Sequence, residues 1–349
     1  MKPLKKPIVG NLCLLLGSSV LSLILLEVCY RFFLFGWSSL SIERMNSLHG
    51  IGVSGLIQAS AYREIVFELK PNLRTYFKLT PFETNSHGLR DREYGLAKPP
   101  HTFRIAVVGD SFTMPSGVAI EDAFHTRLEN RLNRESHGET FEVLNFGVSG
   151  HSLRHYVGMI EHRCSRYDPD LILVGFCARN DHQPPRWTFD KPFVPKPETH
   201  AFFTSFARQG FLLAKEFERK KERATRPRRL KRVDKRYLSK YLAKLGDFSR
   251  EASVPVVVVL LDIAVVKSRF LKKKLSNNGI YFLNATLPFE GKKYADYVVN
   301  PLDSHPNGAA NKIFADEIYA YLHAMKLVPG SQQRPTTPIS ESASRVGAP

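Results

Sequence analysis

The sequence predicts an α/β protein built on a parallel, doubly wound sheet, preceded by a membrane-spanning helix and a small region of short strands. Three observations carry this. From position 103 onward, short runs of aliphatic and β-branched residues alternate with segments that are apolar every three or four residues. The runs, among them "FRIAVVG", "DLILVGF" and "VPVVVVLLD", are apolar nearly throughout, as strands buried on both faces must be. The first 37 positions hold a separate apolar stretch of their own.

That stretch, "IVGNLCLLLGSSVLSLILLEV" at 8–28, has no charge before Glu27 and is long enough to cross a hydrocarbon core of roughly 30 Å. Lys2, Lys5 and Lys6 precede it, which keeps the N-terminus in the cytoplasm and exports the rest. The bulky "EVCYRFFLFGW" that follows offers no small-residue cleavage site, so a retained signal anchor is expected rather than a cleaved signal peptide. Positions 38–100 contain extended pieces without strong period, "YREIVFELKPNLRTYFKL" among them, and read as a stalk with an accessory β region. "KPPHTF" marks the boundary to the main domain, 101–327.

Within that domain "FRIAVVG" is the first strand, and "DAFHTRLENRLN" a helix with Phe124, Leu128 and Leu132 on one face. "FEVLNFG", "SLRHYVGMIEHRCSRY" and "DLILVGF" follow as strand, helix and strand. "DKRYLSKYLAKLGDFSREAS" is a helix, "VPVVVVLLD" and "GIYFLNA" are strands, and "NGAANKIFADEIYAYLHAM" is a last helix capped by Asn307. Positions 328–349 lack apolar residues to bury and read as a disordered tail.

The four cysteines, Cys13, Cys29, Cys164 and Cys177, are too sparse for a disulfide framework and read as free thiols. The net charge of +17 is concentrated: positions 208–244 hold 15 Lys/Arg against 4 Asp/Glu. In a cytosolic protein such a run would point to nucleic acid, but the export topology argues against that partner. An anionic polymer, lipid headgroups or a merely solvated helical insertion at about 205–245 remain. Arg226, Arg228, Arg229, Lys231, Arg232, Lys235 and Arg236 are the candidate anion-binding residues.

In an open α/β sheet, functional groups gather at the carboxyl ends of the strands. The first strand ends in "GDSF" with Ser111, the second in "NFGVSG" with Gly150 and the third in "CARND" with Asn180; "DSHPN", with Asp303 and His305, precedes the last helix. A serine hydroxyl needs a base within hydrogen-bond reach to become a nucleophile. His305 supplies one, and Asp303, on the same side of an extended segment at i−2, can orient its imidazole. The N–H groups of Ser111 and Gly150 and the Asn180 amide are candidates for the oxyanion hole, where losing one donor typically costs about 3–4 kcal/mol of barrier. Asp110 would brace the turn. "GVSGH" fails as a G-x-S-x-G elbow because His151 replaces the second glycine. His151 and His155 share a helix face but lack the acidic residue of H-E-x-x-H. "GDSFTMPSG" lacks the ending of a phosphate loop.

In this order and spacing, "GDSF", "NFGVSG", "RND" and "DSHPN" resemble the four blocks of the SGNH (GDSL-type) hydrolase superfamily, over 103–325. "TNSHGLRDREY", ahead of the first strand, resembles a lead-in of membrane-anchored bacterial members. The resemblance implies a flavodoxin-like sheet and ester hydrolysis or acyl transfer without metal or other cofactor. Its serine, glycine, asparagine and histidine fall on Ser111, Gly150, Asn180 and His305. Two positions depart from the pattern: Ala178 replaces a glycine, and the usual acid position holds Leu302, with Asp303 one place nearer the histidine. The Leu302 carbonyl is therefore an alternative partner for His305.

The expectation is a single-pass protein of the bacterial inner membrane with a serine esterase domain in the periplasm or otherwise outside the cytoplasm. It would remove acyl groups, acetyl foremost, from a carbohydrate or envelope glycan. O-acylation of a polysaccharide by the same residues, or glycan binding without catalysis, are the alternatives.

Overall fold

The computed structural model describes residues 6–41, 44, 53–136, 138–178, 181, 184, 234–262, 269–300 and 303–330. It begins with helix α1 (Lys6–Phe35), whose stretch Val9–Cys29 has a mean hydropathy of 2.3 with 6% of it buried. By length and composition this helix can cross a membrane, a property that a signal sequence shares.

Among the described residues four short strands precede the main sheet. β1 (Ile57–Ala59) pairs antiparallel with β2 (Phe67–Leu69), and β3 (Arg74–Phe77) pairs with β4 (Thr80–Glu83). The β3–β4 register sets Phe77 opposite Thr80, so only Lys78 and Leu79 form the turn, both at positive φ (52° and 69°). Two-residue hairpin turns with positive φ at both positions usually take Asn-Gly, because a side chain there costs roughly 1–2 kcal/mol per residue.

The main sheet is wholly parallel, in the order β6 (Thr140–Asn145), β5 (Thr102–Gly109), β7 (Leu171–Phe176), β8 (Val256–Leu260), β9 (Tyr281–Asn284). Taken in chain order this is 2-1-3-4-5, the flavodoxin-like doubly wound arrangement the sequence predicts. The period-two alternation of β5 shows why both faces must be covered. Ala106 and Val108 point into one core, with Tyr156, Leu242 and Leu275, and Ile105 and Val107 into the other, with Leu128, Phe314 and Leu322.

Helices α2 (Phe124–Glu135) and α6 (Gly308–Ala324) cover the second face; α3 (Leu153–His162), α4 (Lys235–Ala252) and α5 (Arg269–Ser276) lie toward the first. The N-cap of α6 is Asn307, whose side chain accepts from the Ala310 N–H at 3.1 Å, and Asp234 caps α4 in the same way. Between β9 and α6 a small antiparallel pair, β10 (Val298–Asn300) and β11 (Asp303–Pro306), carries the histidine segment.

Two boundaries differ from the sequence expectation. The segment read as stalk and accessory region shares a core with the sheet: Leu56, Ile65, Phe67, Phe82 and Leu89 are buried in the same cluster as Val108 and Tyr156. Close approach requires Gly158 of α3, where an added Cβ would lie 2.6 Å from the Glu64 Cβ. The join is further locked by the buried Arg104 guanidinium, which donates to the carbonyls of Gly95, Leu96, Ala97 and Tyr167 and pairs with Glu142 at 2.6 Å. At the other end Val328 is buried in the second core, so the folded domain continues past 327. Residues 331–349 lie outside the described residues.

Candidate active site

Ser111 stands two residues beyond Gly109, the end of β5. The turn is held from within: the Asp110 carboxylate accepts the Phe112 N–H at 2.9 Å, and the carbonyls of Asp110 and Ser111 accept the N–H groups of Met114 and Ser116. Gly109 is required here, because a Cβ would come within 2.6 Å of the Thr113 Cβ and 3.0 Å of the Gly175 carbonyl on β7. The outcome is a buried turn in which Ser111 keeps only 8% of its surface exposed.

β11 brings His305 to this turn, with Nε2 2.8 Å from Ser111 Oγ. On the other side of the ring, Nδ1 makes a short hydrogen bond with Asp303 Oδ1. With Nδ1–H donating to Asp303, Nε2 is left as the acceptor for the serine hydroxyl. Asp303 Oδ1 also accepts the His305 backbone N–H at 3.1 Å, and the Asp303 N–H donates to Asn300 Oδ1 at 2.9 Å. The Phe112 ring packs edge-on against the imidazole at 5.5 Å. Burial pushes the Asp303 carboxyl up, but the hydrogen bond and charge of His305 and the Lys78 ammonium outweigh it, holding the group below the usual carboxylate range. Asp303 is thus the group seen against His305, and Leu302 lies outside the described residues.

Gly150, at φ 88°, sits in the loop after β6. That loop rests on the Ser111 turn: the Val148 N–H donates to the Gly109 carbonyl at 3.1 Å, and a Cβ on Gly147 would lie 2.6 Å from the Met114 nitrogen. Asn180 lies outside the described residues. Its neighbour Asp181 is fully buried, accepting the Cys177 N–H at 2.7 Å and the Tyr156 hydroxyl at 2.9 Å. Burial, with Asp110 adding to it, pushes the Asp181 carboxyl well up.

The histidine pair does not share a helix face: α3 begins at Leu153, so His151 precedes its Ser152 N-cap, and both rings are built into the core. His151 donates through Nε2–H to the Phe67 carbonyl at 2.8 Å, and His155 Nδ1 accepts the Ser152 N–H at 3.0 Å in a capping box. Burial holds His151 down at about 4 and His155 well below its ordinary value. Among the described residues no three His, Cys, Asp or Glu side chains are grouped to hold a metal. Of the basic residues, Arg226, Arg228, Arg229, Lys231 and Arg232 lie outside the described residues. Lys235 and Arg236 are exposed on the first turn of α4. Beside them Tyr237 places its hydroxyl 3.1 Å from Ser152 Oγ, two residues past Gly150.

The segment before the sheet contributes residues that sequence reasoning missed. Lys78 Nζ lies 2.7 Å from Asp303 Oδ2 and 3.0 Å from His305 Nδ1. Arg90, which is buried, donates to the carbonyls of Met114, Pro115 and Val118 in the loop after Ser111, and to Pro81 of β4. Burial lowers the Arg90 guanidinium to about 10, with Glu121 opposing the shift. Arg90 falls within the "TNSHGLRDREY" run, whose resemblance does not single it out; nothing in the sequence around Lys78 marks a hairpin tip. A cavity of about 490 Å³ lies beyond Arg90, lined by Glu83, Arg92, Tyr94 and Glu129, and none of Ser111, Asp303 and His305 faces it.

No protein-family model matches the sequence, and no curated protein matches it. Among solved structures the chain is similar to TesA, with 14% identity over 64% of this chain and 99% of that one, at a TM-score of 0.39. It is also similar to the esterase EstA from Pseudoalteromonas sp., with 15% identity over 64% and 98% and a TM-score of 0.40. A two-domain esterase (CEX) active on acetylated mannans gives 13% identity over 69% and 54%, with a TM-score of 0.43. The chain therefore spans about half the length of that two-domain protein.

Proposed function

We propose that this protein is a serine esterase of the SGNH type that removes ester-linked acyl groups, acetyl foremost, from a carbohydrate of the cell envelope. One observation carries the reading: Ser111 Oγ lies 2.8 Å from His305 Nε2, whose other nitrogen is bonded to a carboxylate held in its charged form.

The chemistry follows from that line of contacts. His305 takes the hydroxyl proton as Ser111 Oγ attacks the ester carbonyl carbon, and Asp303 offsets the positive charge that forms on the imidazole. The carbonyl oxygen becomes an oxyanion for which the N–H groups of Ser111 and Gly150 and the Asn180 amide are the proposed donors. Collapse breaks the bond to the sugar oxygen, which leaves with the proton from His305. Water then attacks the acyl-Ser111 carbonyl by the same route, releasing the acid and restoring the serine. The glycan assignment is supported by the apolar N-terminal helix, which would anchor the domain outside the cytoplasm, and by the basic stretch beside the chain's entry into α4.

Labelling with a serine-directed fluorophosphonate tests the reading. Rapid labelling of the wild type that disappears in Ser111→Ala and His305→Ala is expected. Absence of Ser111-dependent labelling in a folded wild type would leave the domain as a glycan-binding protein without catalysis.

A further inference from the structure

We infer that Lys78, delivered by the β3–β4 hairpin, is a positioning residue of the active site: it fixes the plane of the Asp303 carboxylate and through it the ring of His305. The inference rests on the acyl-transfer reading of Ser111 and goes beyond it by making the segment ahead of the sheet part of the catalytic device.

The need arises from spacing. Asp303 precedes His305 by only two residues on the same strand, and its Oδ1 already receives both the backbone N–H and the Nδ1–H of that histidine. Both of these hydrogen bonds come from His305 itself and fall on one oxygen, and the last torsion of an aspartate has a broad intrinsic profile that does not hold the carboxylate in place by itself. The second oxygen is anchored from outside the histidine strand, by Lys78 Nζ at 2.7 Å, so the carboxylate is gripped at both ends.

The hairpin is arranged for this contact at a local cost. Lys78 and Leu79 both adopt positive φ in a two-residue turn that contains neither glycine nor asparagine. Such conformations persist where surrounding structure over-determines them, often at functional sites. Here the hairpin is tied to the nucleophile loop by Arg90, which bonds Pro81 on one side and Met114, Pro115 and Val118 on the other. Gly117 leaves the room: a Cβ there would lie 3.1 Å from a Val299 methyl of β10 and 3.6 Å from the Lys78 Cβ. Three segments thus converge on one carboxylate.

An ordinary surface ion pair is the competing account, and two facts weigh against it. Both side chains are mostly covered, 24% and 16% exposed. Lys78 Nζ is also 3.0 Å from His305 Nδ1, a nitrogen whose proton is directed at Asp303, so the ammonium cannot bond it and is repelled when the ring is charged. A lysine placed for charge alone would not be held against the catalytic imidazole. The two effects oppose each other on removal: loss of the ammonium relieves the imidazolium but frees the carboxylate. Misplacement of a catalytic group can cost about 10²-fold, and we expect this loss to prevail.

The experiment uses the full chain in detergent micelles. Lys78→Met, Lys78→Gln and Lys78→Arg are compared for turnover of a small activated acetyl ester and for the rate of fluorophosphonate labelling. The far-downfield Nδ1–H proton resonance of His305 is recorded for each. Expected are a fall in kcat of about 10- to 100-fold with KM within about twofold for Met and Gln, parallel slowing of labelling, and recovery to within about fivefold by Arg. The Nδ1–H resonance should broaden or vanish in Met and Gln and return in Arg. Running two neutral variants leaves one to decide if the other does not fold. Wild-type kcat and an intact resonance in a folded neutral variant would overturn the inference while leaving Ser111 in its role. So would a raised KM at constant kcat, which would make Lys78 a substrate contact. A wild type without Ser111-dependent labelling removes the esterase reading itself, and the inference with it.

Discussion

Ser111 and Gly150 lie in turns that follow parallel strands, and His305 on a short strand just before the last helix. Lys78 and Arg90 reach the same place from a segment that precedes the whole sheet. The first group is delivered by the ordinary geometry of an open α/β sheet, in which chain direction alone brings side chains to one edge. The second depends on tertiary joints: Arg90 on four carbonyls, Gly158 on a close backbone approach, and the His151–Phe67 hydrogen bond. The strand ends can supply reactive atoms; the preceding segment supplies the constraints that aim them. A division of this kind predicts that variants of the first group act chiefly on rate, and that variants of Arg90 and His151 act first on stability.

The largest effect is expected at Asp303. Asparagine keeps the shape but presents an amide that can donate to Nδ1, which turns Nε2 from acceptor to donor and removes the base. We expect Asp303→Asn to lower kcat by about 10³- to 10⁴-fold, roughly 4–5 kcal/mol of barrier. Steady-state ester hydrolysis checks it; a loss under tenfold would hand the orienting role to another group. The same carboxylate fixes a sign. Its folded pKa is depressed, so its stabilising contribution is complete above the unfolded value near 4 and drains away as pH falls below it.

Arg90→Met should act on stability instead. It leaves the carbonyls of Met114, Pro115, Val118 and Pro81 without their donor inside the protein, at a cost of about 3–5 kcal/mol. Urea unfolding measures this. A variant as stable as the wild type would show that the segment before the sheet is an ornament, and the contrast between the two regions would dissolve.

The legibility of the two regions in the sequence differs for the same physical reason. Each strand of the sheet is a local apolar run, and "GDSF", "NFGVSG" and "DSHPN" break those runs with turn and polar residues, so Ser111, Gly150 and the Asp303–His305 pair stand out. Even the cap at Asn307 is local. Lys78 is separated from His305 by 227 positions, and its turn reads "FKLT", with none of the glycine or asparagine that normally announces such a hairpin. The accessory region is legible only as short extended pieces because burial of Leu56, Ile65 and Phe67 is shared with α3 and the sheet, giving strands too short for a period to show. The sequence shows His151 and His155 as a pair four apart, but the roles come from the fold, which bonds one to Phe67 ahead of the helix and sets the other to cap it.

His151 offers the smallest and most selective way to separate the regions. Its Nε2–H holds the Phe67 carbonyl of β2, and its ring stacks on His155 at 4.6 Å in a site without exposure to water. Burial keeps it neutral in the folded protein down to about pH 4, whereas the unfolded chain takes up a proton near 6.5. The unfolded state therefore binds more protons between those values, and stability must fall as pH drops from 6.5 to 4, by about 3 kcal/mol for this one group. Glutamine at 151 can donate to the same carbonyl without titrating. Urea unfolding of His151→Gln across this range should show a shallower decline, the difference from wild type reaching about 3 kcal/mol at pH 4. The decline should not vanish, because His125, held down at about 3, and His155 share the window. Asp303 keeps its charge throughout, so loss of ester hydrolysis in this interval that tracks unfolding in wild type, and is delayed in His151→Gln, would locate the acid sensitivity in the joint and not in the reacting groups. Identical declines in the two proteins would place it elsewhere.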